Sequence, residues 1–208
     1  MKHKEIQVEI PTSWEDISIG MYQKFKQIEN TKYENDEEKV VDLLCTMTKI
    51  SREELAGMRY KDMKYLANKL SKLMAEEIKD DELIKTVEFK GVEYGIIPNF
   101  STITLGEFVD IESYCKDAYK NLHKITSVMY RPIVKKKGDR YSIEEYKPNE
   151  LIDEDFLDFP ILVSVSALSF FFRLGKILKQ AMLKYSIQKV NKRIAKLRRL
   201  VKNGGGLA

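Results

Sequence analysis

The sequence predicts an α+β fold, mainly helical, and three observations carry that prediction. Apolar residues recur at three- and four-residue spacing through most of the 208 residues, the signature of helices with one buried face. The period drops to two in a short N-terminal stretch and on either side of two glycine-containing turns, as half-buried strands require. Asn, Ser or Thr followed three residues later by Glu punctuates the helical windows, which is the chemistry of a helix start. Hydrophobic residues make up 43% and charged residues 33% of the chain. That balance supports a sizeable core and argues against disorder through most of the chain.

Ile6, Val8 and Ile10 alternate with Glu5, Gln7 and Glu9, so residues 5–10 are expected as a strand that Pro11 ends. Ser13 then caps a turn into a helix over Ile17–Ile28, where Ile17, Met21, Phe25 and Ile28 share a face. Asn35 and Glu38 open a helix over Asp36–Thr48, and Ser51 and Glu54 a short one that Gly57 ends. Lys61–Ile78 is amphipathic, with Met63, Leu66, Leu70, Leu73 and Met74 on one side. Val87 and Phe89 against Val92, Tyr94 and Ile96, with Lys90-Gly91 between them, form the first hairpin. Thr104 and Glu107 cap a helix running to about Ala118. Leu122, Ile125, Val128 and Met129 mark another, stopped at Arg131-Pro132 because a residue preceding proline avoids the α region. Ile133-Val134 and Tyr141-Ser142-Ile143, joined through Lys135–Asp139, form the second hairpin. Asn149–Phe159 is acidic and expected as a short helix, and Pro160 suits the first turn of a long final helix, with Gly175 as a place to bend. In that helix Val163, Ala167, Phe170 and Leu174 fall together while Phe171 and Phe172 face elsewhere, which suits a core helix buried on several sides.

One segment echoes another. Trp14–Tyr22 and Phe100–Phe108 lie 86 residues apart and share an aromatic, then Ile, Ser or Thr, an aliphatic, Gly and a helix start. A duplicated strand–turn–helix unit over residues 6–28 and 92–115 accounts for this, and so does chance recurrence of capping chemistry. Two copies fall short of a solenoid.

Charge is distributed unevenly. The net charge is +4, yet from Phe159 to Ala208 there are eleven basic and no acidic side chains, leaving 25 basic against 32 acidic in the rest. The sequence thus reads as an α+β body over residues 1–178 and a basic helical extension over 179–208 that ends in Gly204-Gly205-Gly206. Within the extension, Leu183, Ile187, Val190, Ile194, Leu197 and Val201 advance by alternating fours and threes, a heptad-like seam beside Lys192, Arg193, Lys196, Arg198 and Arg199. Such a helix suits a protein partner or self-association. Nucleic acid, an anionic membrane surface and the chain's own acidic body are the alternatives. Aromatic residues for base stacking stop at Tyr185, which favours helix-on-helix contact.

Catalytic chemistry finds little support. His3 and His123 are the two histidines, and neither sits beside a Ser or Cys nucleophile in a recognised spacing. Cys45 and Cys115 belong to no CxxC pair, and two free thiols in a reducing compartment are expected. No glycine-rich phosphate loop occurs. Asp153, Glu154, Asp155 and Asp158 lack the ligand alternation of an EF-hand and suit a solvated helix start. The expectation is a non-enzymatic protein without metal or cofactor. Phe159–Phe172 is too short to span a bilayer, and Met1–Glu5 lacks the apolar run of a signal peptide.

The order Ile10–Ile17, Ile103–Glu112, Val128–Ile133, Tyr141–Tyr146 and Phe170–Gly175 resembles a family of tailed-phage tail and baseplate proteins, that of the T-even-type baseplate hub assembly protein. The likeness covers about Ile10 to Leu178, and the basic extension departs from it. The resemblance implies a protein that assembles the tail tip or baseplate in the host cytoplasm, as a virion component or a chaperone. Its partners would be other tail or baseplate proteins, including the tape-measure protein. It carries over no catalytic residue. Arg131, at the helix-to-hairpin corner, is a candidate partner contact and equally a structural donor to nearby carbonyls.

Overall fold

The computed structural model describes residues 8–78, 82–148 and 154–176. The chain separates into two compact units, Met1–Leu168 and Ser169–Ala208, with the division inside the last helix. Composition had placed the change of character ten residues later, at 178.

Helix α1 (Ile19–Asn30) starts where Ser18 Oγ accepts the Met21 N–H, and it buries Ile19, Tyr22, Phe25 and Ile28. Helix α2 (Asp36–Thr48) begins at Asn35, whose side-chain oxygen accepts from Glu38 N at 2.8 Å. Helix α3 (Arg52–Ala56) carries the Ser51/Glu54 capping box and ends at Gly57, as the sequence indicated. Helix α4 (Tyr60–Ala75) buries Leu66, Leu70 and Leu73. These helices pack in a chain of neighbours, α1 on α2 and α2 on both α3 and α4.

The two expected hairpins are present: strands β1 (Thr86–Phe89) and β2 (Val92–Ile96), then β3 (Tyr130–Lys137) and β4 (Arg140–Ile143). Lys90 and Gly91 both take positive φ, 49° and 77°, matching the right-handed strand twist as a tight two-residue hairpin turn must. The hairpins join through β2–β3 into one antiparallel sheet in the order β1-β2-β3-β4. Two helices lie between them in sequence, α5 (Leu105–Tyr114) and α6 (Leu122–Met129), packed on one another. The α5 window reached to Ala118 on pattern alone. The helix instead ends at Tyr114 and tightens into a 3₁₀ turn over Cys115–Asp117.

One face of the sheet carries an aromatic core. Phe159 is fully buried, with ring centroids 4.8 Å from Phe89, 5.0 Å from Phe156, 5.6 Å from Tyr94 and 6.0 Å from Tyr130. Each such pair adds roughly 0.5–1.5 kcal/mol to the area it buries. The Tyr130 hydroxyl donates to Ile84 O, and burial pushes its pKa well above the ordinary tyrosine value. The acidic segment supplies the 3₁₀ helix Glu154–Asp158, where Asp155 and Asp158 flank Lys90 at 2.8 and 3.2 Å. Its first residues, 149–153, lie outside the described residues.

The last helix, α7, occupies residues 161–176 among those described and runs through Gly175 without a break. In the first unit it buries Ile161, Val163, Ser164, Ser166 and Ala167. In the second unit burial on all sides does not hold: Phe172 is 52% exposed. The expected N-terminal strand is also not met where it can be seen. Val8, Glu9 and Ile10 carry no strand pairing, and residues 5–7 lie outside the described residues. The pairing instead falls at the next turn, where Ile19 N–H donates to Phe159 O at 2.9 Å and Ile161 N–H to Ile17 O at 3.0 Å.

Candidate functional site

The two echoing segments adopt one conformation. Trp14–Asp16 and Phe100–Thr102 are 3₁₀ turns, each capped by the residue before it: Ser13 Oγ accepts from Glu15 N, and Asn99 Oδ1 from Ser101 N. Two residues later Ser18 and Thr104 are the N-caps of α1 and α5. At the second position of each helix a glycine admits a crossing chain. A Cβ on Gly20 would lie 3.1 Å from Leu157 O, and one on Gly106 3.4 Å from the Tyr146 ring.

Burial separates the copies. In the first, Ile19 and Tyr22 are 0% and 9% exposed; their counterparts Leu105 and Phe108 are 78% and 43% exposed. Val109 is 49% exposed beside them. Leu105, Phe108 and Val109 stand at i, i+3 and i+4, so they form one apolar stripe on the outer side of α5. The opposite side, through Glu107 and Ile111, is buried.

A buried ion pair fixes that orientation. Arg131, on β3, places NH2 2.6 Å from Glu107 Oε1, with the two side chains 7% and 5% exposed. Arg131 NH1 also donates to Val128 O at 3.3 Å, and its guanidinium lies 5.6 Å from the Tyr146 ring centroid. Glu107 Oε2 accepts from Thr104 N at 2.7 Å and from Thr104 Oγ1 at 2.8 Å, closing the capping box. Burial alone would raise the carboxyl's pKa. The bonds from Thr104 and Arg131 outweigh it and hold Glu107 below the usual carboxylate range. Tyr146 donates its hydroxyl to Asp110 on the same helix. Arg131 is therefore the structural donor of the two alternatives, and being 5% exposed it offers almost no surface to a partner.

The other candidate residues, Leu183, Ile187, Val190, Lys192, Arg193, Ile194, Lys196, Leu197, Arg198, Arg199 and Val201, lie outside the described residues. His123 serves packing: Gln23 Nε2 lies 3.1 Å from its Nδ1 and donates to Tyr119 O and Lys120 O at 2.9 and 2.7 Å. Burial lowers the His123 pKa, which favours the neutral ring. Cys45 and Cys115 are free and partly buried. Among the described residues no three His, Cys, Asp or Glu side chains gather as metal ligands, and no helix is long and apolar enough to cross a membrane.

The α5 stripe escaped the sequence reading, although its signal is present. Leu105, Phe108, Val109 and Ile111 put apolar residues on both sides of one helix. A helix apolar all round needs cover on both sides, and here only one side receives it within the described structure. No protein-family model, curated protein or solved structure matches the chain.

Proposed function

We propose that this protein assembles a tailed-phage tail or baseplate by binding other proteins, with no catalytic step of its own. The observation that carries the reading is the apolar stripe Leu105–Phe108–Val109, held outward by a buried ion pair on the inner side of the same helix. A side chain as large as Leu105 left 78% exposed at the end of a rigid helix suits a contact made with another molecule. The resemblance adds a second support. Three of its patterns, at Ile103–Glu112, Val128–Ile133 and Tyr141–Tyr146, contribute Glu107, Arg131 and Tyr146 to one cluster. A set of patterns that carries no chemistry, yet meets at one packed corner, suits a family kept for its shape.

On this reading the stripe and the basic seam after residue 178 each meet a tail or baseplate protein, the tape-measure chain among them, in the host cytoplasm. Quantitative mass spectrometry of purified particles beside their lysate is the test. A fixed small copy number per particle supports a structural component, and abundance confined to the lysate supports an assembly chaperone. Recovery on DNA with absence from particles would sink the proposal in favour of a nucleic-acid accessory role for the basic seam. In cells, Leu105→Lys with Val109→Lys is expected to lower the yield of tailed particles while the purified variant keeps its melting temperature, because neither side chain is buried.

A further inference from the structure

We propose that the open cleft along α1 is a second binding site, one that takes an extended acidic segment of a protein partner. The cleft measures about 1010 Å³ and runs between α1, the end of α2 and the turn before α6. It is large enough for a short stretch of peptide.

Its charge is unlike that of the rest of the chain before the extension. Nine of the 36 basic side chains and none of the 32 acidic ones fall after residue 176, so residues 1–176 carry 27 basic against 32 acidic groups. The cleft reverses that balance, with Lys24, Lys26, Lys49 and Lys120 against Asp117 and Asp158. Most of these charges are already matched. Lys120 lies 3.0 Å from Asp117, Lys26 2.7 Å from Glu29, and Asp158 3.2 Å from Lys90. Lys24 and Lys49 have no ion pair among the described residues, and both are exposed. Two cations therefore face the cleft without a counter-charge.

Lys49 is placed there at a cost. It ends α2 in the left-handed region, φ 59° and ψ 16°, where glycine or asparagine is the usual occupant. A lysine in that conformation is strained, and what it brings is a cation beside the helix's carbonyl end and at the cleft.

The remaining lining selects peptide over nucleic acid. Gln27, Asn30, Thr31 and Thr46 offer amide and hydroxyl groups along the cleft. A covered peptide backbone needs such alternating donors and acceptors, because each of its N–H and C=O groups must find a partner. Phosphate recognition favours forked guanidinium groups, and no arginine lines the cleft. Tyr119 is its one aromatic side chain, too few for successive bases to stack on. The site is separate from the α5 stripe, so either can fail without the other.

The test uses the full-length chain and a fluorescein-labelled hexaglutamate peptide carrying a photo-crosslinker, with anisotropy for affinity and mass spectrometry for position. Because the sequence after residue 176 also attracts acidic probes, a second protein carries glutamine at Lys192, Arg193, Lys196, Arg198 and Arg199. The expected result is cross-linking to α1 in both proteins, and a loss on the order of tenfold in affinity in Lys24→Glu/Lys49→Glu at an unchanged melting temperature. Lys49→Gly is expected to raise the melting temperature and weaken binding together. Cross-links confined to residues 177–208, affinity indifferent to Lys24 and Lys49, or displacement from α1 by oligothymidylate more strongly than by hexaglutamate would each overturn the proposal.

Discussion

Glu107 illustrates how one side chain can hold two obligations. As the third residue of α5 it closes a capping box with Thr104, and as a buried carboxylate it neutralises Arg131. The first role was legible in the sequence, since Thr-x-x-Glu before an apolar run is a local pattern. The second was not, because Arg131 lies 24 residues on and reaches Glu107 only once β3 pairs with β2. Removing one partner of such a pair strands a buried charge. Arg131→Met is therefore expected to cost about 3–5 kcal/mol by chemical denaturation, and Glu107→Gln/Arg131→Met to recover part of it. The pair also sets a pH dependence. Glu107 titrates lower in the folded chain than its unfolded value of about 4.3, so its contribution is full above that pH and fades as pH falls through the folded pKa. Acid titration of wild type beside Arg131→Met checks this: in that window the wild type should lose more stability than the variant.

Among elements, helix starts and hairpins could be read ahead because each is written in a few adjacent residues. Asn35, Ser51 and Thr104 cap the helices that their spacing announced, and Lys90-Gly91 makes the turn that its residues allow. What joins elements was less visible. Nothing local says that the two hairpins share a sheet, or that Phe159–Ile161 pairs with Ile17–Ile19 and so takes the place in which a strand over residues 5–10 was expected. The recurring 3₁₀ turn, cap and helix invite a paired experiment. A methyl on Gly20 meets the Leu157 backbone at 3.1 Å, whereas one on Gly106 meets only the edge of a tyrosine ring at 3.4 Å. Gly20→Ala is expected to destabilise by about 1–3 kcal/mol through overpacking. Gly106→Ala should be neutral or stabilising by up to about 1 kcal/mol, from its helix preference and reduced unfolded-state freedom. Equal melting shifts in the two variants would mean that the two helix starts are packed alike, against the difference in burial between Ile19 and Leu105.

At the scale of the whole molecule the division of charge governs what can be tested. An acidic body followed by a basic, regularly spaced apolar seam was visible at once, because composition needs no fold to be read. The exposed stripe on α5 was not, since exposure depends on which side of the helix the sheet claims. If the seam is an extension that meets a partner, deleting Leu183–Ala208 should leave the melting temperature of the remaining chain within a few degrees of wild type and abolish capture of that partner. Salt then separates the two classes of partner. A seam closed by Leu183, Ile187, Val190, Ile194, Leu197 and Val201 against another helix keeps most of its affinity as salt rises, because apolar burial is not screened. A phosphate backbone gripped by Lys192, Arg193, Lys196, Arg198 and Arg199 instead loses affinity in proportion to the counterions released, about 0.9 in logarithmic slope for each phosphate contact on duplex DNA. Five contacts would give a slope near −4.5, steep enough to separate from a protein interface in one titration. A shortened chain that fails to fold would place the seam in the core, and neither kind of partner could then be assigned to it.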